Sequence, residues 1–149
     1  MQIKLSLRVP LFSTEEESKV MMCIENLLCF QPELKRIDDE EITYFTAENL
    51  PIDVLKRLFN HIRQNFILDS VRKCIRRDYY SNSLIIPLHK QALFANKIAF
   101  TTGGTSSPLG DVELIIQPDD CDKFLDWFVP KTEDGKELVI RKFSEITSL

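Results

Sequence analysis

Leu84-Ile-Ile-Pro-Leu-His-Lys-Gln-Ala-Leu-Phe-Ala95 runs into Asn96-Lys-Ile-Ala-Phe100 and, past a glycine-bearing loop, into Ser106-Ser-Pro-Leu-Gly-Asp-Val-Glu-Leu-Ile-Ile116. Leu84, Ile86 and Leu88 recur at period two, which predicts a strand, and Pro87 predicts that it ends there or lies at an edge. Residues 88–95 predict a short helix, with Asn96 placed for a left-handed exit. Ile98 and Phe100 predict a strand that turns through 101–107 and returns over 112–116. Strand, short helix and two further strands within 33 residues predict an antiparallel sheet with short connections.

The rest of the chain fits outward from this centre. Ile3, Leu5, Leu7 and Val9 alternate with polar residues, predicting a strand closed by Pro10. Ser13 and Glu16 have capping-box spacing, and Val20, Met21, Ile24, Leu27 and Leu28 follow at helical period over 14–29. Residues 33–37 and 42–47 predict two strands joined by the acidic run 38–41, read as a solvated turn. Asn49 and Pro51 open a second helix with Leu55, Leu58, Phe59 and Ile62 on one stripe, and a break near Asn65 or Asp69 separates it from a basic helix reaching Arg77. Asp119 or Asp120 caps a helix through Phe124, Trp127 and Phe128 that Pro130 ends; residues 131–149 form a C-terminal extension, with Gly135 as a turn. Irregular alternation of strands and helices reads as one α+β domain over 1–149.

Composition narrows the function classes. The chain has 149 residues, of which 44% are hydrophobic and 28% charged, the balance of an ordinary globular protein. Its start lacks the apolar core of a signal peptide, and no apolar run approaches the ~20 residues that cross a bilayer, so a cytoplasmic location is expected. Cys23, Cys29, Cys74 and Cys121 include no Cys-x-x-Cys pair and read as small buried hydrophobes; with only two histidines, no metal or other cofactor is expected. The net charge of −4 is unevenly spread: residues 53–90 hold eight basic and three acidic residues, a balance of +5, and the remainder balances at −9.

Three constellations are candidates for chemistry. Arg72, Lys73, Arg76 and Arg77 stand at helical i,i+4 spacings and would share one helix face able to grip a phosphate backbone, with Tyr79 and Tyr80 behind them to stack on unpaired bases. The bland alternative is a solvated face whose arginines pair with the acidic ends of the chain. The loop from Gly103 and Gly104 to Ser107 has hydroxyls and glycines but no lysine and leads into a strand, so a hairpin turn is the better reading than a P-loop. Cys74 or a serine beside His61 or His89 would need a base in hydrogen-bond reach, and no spacing selects such a pair.

The order of these motifs resembles an uncharacterised archaeal protein family whose members are similar in fold to the RNA-binding domain of the ribosomal protein that holds 5S rRNA. The resemblance rests on Lys90-Gln91-Ala92, on Ser107-Pro108-Leu109-Gly110, on Ile67-Leu68-Asp69 with Arg72, and on Asp126-Trp127, Pro130-Lys131-Thr132 and Asp134-Gly135-Lys136. It implies an antiparallel sheet with helices packed on one face, homodimers, and no established activity. The chain departs from that pattern where glycines are usual, at 78–83 and at Asn96, and where asparagine precedes the lysine, here His89. The expectation is a non-enzymatic protein that binds RNA through Arg72, Lys73, Arg76, Arg77 and Lys90. A homodimeric protein-interaction module is the alternative, and a binder of, or enzyme acting on, a small phosphorylated ligand at the Gly103 loop and Lys90 is the second.

Overall fold

The computed structural model describes residues 1–39, 42–102, 109–134 and 136–149. Six strands form one wholly antiparallel sheet in the order β2-β3-β1-β6-β5-β4: β1 Ile3–Leu11, β2 Lys35–Asp38, β3 Thr43–Ala47, β4 Arg76–Asp78, β5 Ser83–His89 and β6 Asp111–Pro118. Around it run α1 Glu17–Leu28, α2 Val54–Gln64, α3 Leu68–Cys74, α4 Lys90–Phe94 and α5 Cys121–Phe128. A two-stranded hairpin, β7 Thr132–Glu133 and β8 Lys136–Glu137, and a 3-10 helix, Phe143–Ser148, complete the chain. The expected α+β architecture with helices on one face of an antiparallel sheet is the one observed.

Period-two alternation decides the two faces. Leu5, Leu7 and Val9 of β1 pair across to Ile116 and Leu114 of β6 and to Ala47 and Phe45 of β3; Leu84, Ile86 and Leu88 of β5 continue the same rows. These side chains are buried with Ile24 and Leu27 of α1, Leu55, Leu58 and Ile62 of α2, and Phe124, Trp127 and Phe128 of α5 in one contiguous cluster. Phe59 stacks on Trp127 at 4.9 Å between ring centroids, and Trp127 Nε1 donates to the Lys142 carbonyl at 2.8 Å, which anchors the C-terminal 3-10 helix.

Several local expectations need correction. β1 continues through Pro10 to Leu11, because both residues still pair with β3. The Ser13–Glu16 capping box does not form: Glu16 is the N-cap of α1 without a side-chain bond, and Glu15 instead accepts from the Phe12 amide at 3.1 Å. Cys29 is exposed as the left-handed C-cap of α1, whereas Cys23 and Cys121 are buried as expected. The 98–100 strand reduces to one bridge, Leu88 to Phe100, made to β5 and not to β6. Pro87 is tolerated because its backbone faces away from β6, where only its carbonyl is used, by the Thr101 amide at 3.1 Å. Asp38 closes β2 by accepting from Thr43 Oγ1 at 2.8 Å; the rest of the acidic turn (Glu40, Glu41), the Gly103–Gly104 loop, Ser107, Pro108 and Gly135 lie outside the described residues.

The family departures are conservative in backbone terms. Asn82 and Asn96 occupy the left-handed region at φ 50° and 57°, and Asn is the residue besides glycine that does so at low cost. His89 caps α4 through Nδ1, which accepts from the Ala92 amide at 3.2 Å.

The Lys90-Gln91-Ala92 and Leu109-Gly110 motifs meet in a buried latch. Lys90 Nζ donates to the Pro10 carbonyl at 2.8 Å, to the Leu109 carbonyl at 2.7 Å and to Glu15 at 3.0 Å. The side chains of Lys90 and Glu15 are only 7% and 9% exposed, so one ammonium joins the end of β1, the approach to α1, the start of α4 and the approach to β6. Gly110 lies at φ 74°, and a Cβ there would stand 2.6 Å from Pro10 Cγ, so both conformation and space exclude a side chain. Gly110→Ala is expected to cost at least about 2 kcal/mol in chemical denaturation. Lys90→Met, which strands a buried carboxylate, is expected to cost about 3–5 kcal/mol, and the double change Lys90→Met with Glu15→Leu should recover most of it. Equal stability of the single variant and wild type would contradict the latch.

Candidate nucleic-acid interface

The five cations singled out in the sequence do not share a surface. α3 stops at Cys74 and Ile75 is extended, so Arg76 and Arg77 belong to β4, not to a helix. The expected four-residue helix face is therefore absent. A seven-residue helix carries only Arg72 and Lys73, and strand geometry sends Arg76 and Arg77 to opposite sides of the sheet.

Each group then meets its own environment. Arg72 Nη1 donates to the Val129 carbonyl at 2.6 Å and stands 3.9 Å from Asp126. Arg63 adds bonds to the Trp127 and Phe128 carbonyls at 2.9 and 3.0 Å, so two arginines satisfy the carbonyls that α5 leaves open at its C-terminus. Burial pulls Arg63 below its usual range, and Glu137 at 3.3 Å opposes that shift. Arg77 bonds Asp122 in the first turn of the same helix at 2.8 Å, which raises its pKa, and lies 4.8 Å from the centre of the Tyr79 ring. Lys90 is enclosed in the latch. Lys73 is exposed, without an ion-pair partner among the described residues.

Arg76 alone reaches the uncovered side of the sheet. Its row partner Ile85 belongs to the face opposite the helices, together with Lys4, Ser6 and Arg8 of β1, Lys35 and Ile37 of β2, Tyr44 and Thr46 of β3, and Glu113, Ile115 and Gln117 of β6. All of these are exposed or half-buried, as expected of a sheet face that none of the described helices covers, whereas Pro10, Ser83, Pro87 and Asp111 of the same alternation are buried. Near its middle two guanidiniums share one carboxylate: Arg8 reaches Glu113 Oε1 at 2.7 Å and Arg76 reaches Oε2 at 2.5 Å. Arg8 and Arg76 are 47% and 45% exposed while Glu113 is 13%, so the cations lie above the anion that holds them. The Arg8 guanidinium also stands 5.3 Å from the centre of the Tyr44 ring. Sequence reading missed Arg8 because it is isolated in the chain; its two-residue alternation from Lys4 and Ser6 was the available signal.

Other candidate chemistry takes structural roles. Burial raises the pKa of Cys23, Cys74 and Cys121, the reverse of an activated thiolate. Burial and neighbouring Arg57 lower that of His61. Among the described residues no three His, Cys, Asp or Glu side chains come together as a metal site, and no helix is long and apolar enough to cross a membrane.

Comparison with known proteins follows the same architecture. A family model described as RNA binding matches residues 4–117. The UPF0201 protein of Metallosphaera sedula is 30% identical over 125 residues, covering 84% of this chain and 86% of its own. That of Methanopyrus kandleri is 32% identical over 135 residues, covering 85% and 84%. The crystal structure of the Methanococcus jannaschii UPF0201 protein superposes with a TM-score of 0.69 at 23% identity, over 91% of this chain and 99% of that one. A shared sheet and helix layer, a matched family model and archaeal relatives along most of its length place this chain in the UPF0201 family, within the group whose model is described as RNA binding.

Proposed function

We propose that this protein binds RNA, and that the uncovered face of its sheet is the contact surface. The observation that carries this reading is the pair Arg8 and Arg76 on the single carboxylate Glu113, in the middle of a strand face that none of the described helices covers. Two cations on one anion leave a positive excess, and each guanidinium keeps donors beyond those that Glu113 takes. Lys4 and Lys35 lie on the same face, exposed and outside any ion pair among the described residues. A phosphate backbone laid across them would release counterions. Tyr44 beside Arg8, and fully exposed Tyr80 at the tip of the β4–β5 hairpin, offer ring faces to unpaired bases. The description of the matching family model supports the same ligand class.

Of the five cations expected from the sequence, Arg76 enters this surface, and Lys73, exposed on α3, belongs to the helix side. Arg72, Arg77 and Lys90 already hold carbonyls and carboxylates of the fold. No catalytic role is assigned to any residue. A second reading, a module that pairs with its own copy, is favoured by Ile37, Ile85 and Ile115 on the same face and by the outer edge of β2, unpaired among the described residues.

Fluorescence anisotropy of labelled structured and single-stranded RNAs tests the proposal. Four phosphate contacts give a log–log salt slope of about −3 to −4. Lys4→Glu with Lys35→Glu should abolish binding at physiological salt and leave the thermal transition in place. Unchanged affinity in that variant, or no binding even at low salt, overturns the reading. A dimer in light scattering that Ile115→Lys dissociates would then support the second one.

A further inference from the structure

On the helix side, away from the uncovered face, a concavity carries a different signature. A cleft of about 520 Å3 is lined by Arg57, Asn60, His61 and Gln64 of α2 and by Asn96, Lys97 and Ile98 beyond α4. None of these residues is acidic. The four from α2 fall at i, i+3, i+4 and i+7, one polar stripe opposite the buried stripe of Leu55, Leu58, Phe59 and Ile62. The opposite wall is fixed by a Schellman turn: the Asn96 amide bonds Leu93 O at 2.9 Å and the Lys97 amide bonds Ala92 O at 2.8 Å, which folds Lys97 back over the end of α4.

Arg57 distinguishes this cleft from every other cationic group of its kind. The chain has eight arginines. Arg8, Arg36, Arg63, Arg72, Arg76, Arg77 and Arg141 each lie within 4.0 Å of a carboxylate, and among the described residues Arg57 does not. Its guanidinium is instead positioned by neutral acceptors, the Asn26 carbonyl and Asn96 Oδ1, the latter at 3.3 Å. Those contacts orient the group and leave its charge unbalanced. His61 is oriented as well: the Asn65 side-chain amide bonds the His61 carbonyl at 2.9 Å and stands 3.3 Å from Nδ1. Burial and Arg57 together hold this imidazole below its ordinary range, as expected where cations gather without an acid. Lys97 is exposed and makes no ion pair among the described residues.

An oriented guanidinium, an imidazole, an ammonium and three side-chain amides around one hollow form a polar set suited to an oxyanion. We propose that this cleft binds a phosphoryl group, carried by a small phosphorylated metabolite or by an RNA phosphate. The site shares no residue with the sheet-face surface, and its presence does not depend on that surface binding RNA.

Backbone amide NMR and thermal shift with inorganic phosphate, adenosine monophosphate and a short single-stranded RNA test the site, with sulfate and chloride as ionic controls. Phosphate should raise the melting temperature beyond the effect of chloride at equal ionic strength, and should shift the amides of Asn60, His61, Gln64 and Lys97. Arg57→Gln and, separately, Lys97→Gln should each weaken phosphate binding by about tenfold, whereas Lys56→Gln, outside the cleft, should not. Lys97→Gln keeps the test valid should loss of the Asn26 contact unsettle the fold. Tighter binding of the mononucleotide than of inorganic phosphate, kept in the Lys4→Glu, Lys35→Glu protein, identifies a small-molecule site. Saturation by the RNA alone, lost with Lys97→Gln, identifies a backbone-phosphate site. Shifts spread over the surface, or wild-type affinity retained in both cleft variants, overturn the proposal.

Discussion

The register between β1 and β6 is the constraint on which the remainder depends. Leu5 opposite Ile116 and Leu7 opposite Leu114 put two rows of aliphatic side chains under the helices. A slip of one residue would turn Lys4, Ser6 and Arg8 into that core, so the helix layer admits only one pairing. The same register sets Arg8 directly opposite Glu113 on the other face. It also brings Gly110 against Pro10, where a missing Cβ lets the two chain segments touch and lets Lys90 reach both carbonyls. Core, latch and exposed cluster are thus three consequences of one strand pairing.

Charge follows a related logic. The cationic middle of the chain and its anionic flanks fold onto each other: Arg63 meets Glu137, Arg72 meets Asp126, Arg76 meets Glu113, Arg77 meets Asp122, and Lys90 meets Glu15. Most of the excess basic charge of residues 53–90 is spent inside the molecule, much of it on the two ends of α5. What remains available among the described residues is sparse and local, namely a cluster on the uncovered sheet face where two arginines share one acid and a cleft where one arginine has none. A negatively charged protein can still present such places, because recognition of phosphate depends on the field at the contact more than on the sum over the surface.

The two surfaces differ in character. The sheet face is broad and bears cations, aliphatic side chains and a tyrosine ring, a combination suited to an extended partner. The Arg57 cleft is concave and lined almost wholly by hydrogen-bond donors and amides, a combination suited to one compact anionic group. Their separation on opposite sides of the sheet lets each be removed without touching the other.

The sequence by itself determined the elements whose residues alternate or recur under burial. Ile3 to Val9, the helix stripe through Leu55, Leu58 and Ile62, the left-handed exit at Asn96 and the antiparallel α+β class were legible because water exclusion and backbone sterics act over a few neighbouring residues. The break between α2 and α3 was legible too. The end of α3 was not, because Arg72, Lys73, Arg76 and Arg77 keep helical spacing past Cys74, where strand pairing with β5 prevails over local preference. Ser13–Glu16 failed as a cap because α1 starts only at Glu17, beyond the segment that Glu15 ties to Lys90, 75 residues away. The two proposed surfaces arise from tertiary structure alone. Glu113 meets Arg8 and Arg76 across 105 and 37 residues, and Arg57 is distinctive only because folding has paired its counterparts and left it without an acid among the described residues. Which charges are neutralised is a property of long-range neighbours, and the order of residues along the chain does not encode it locally.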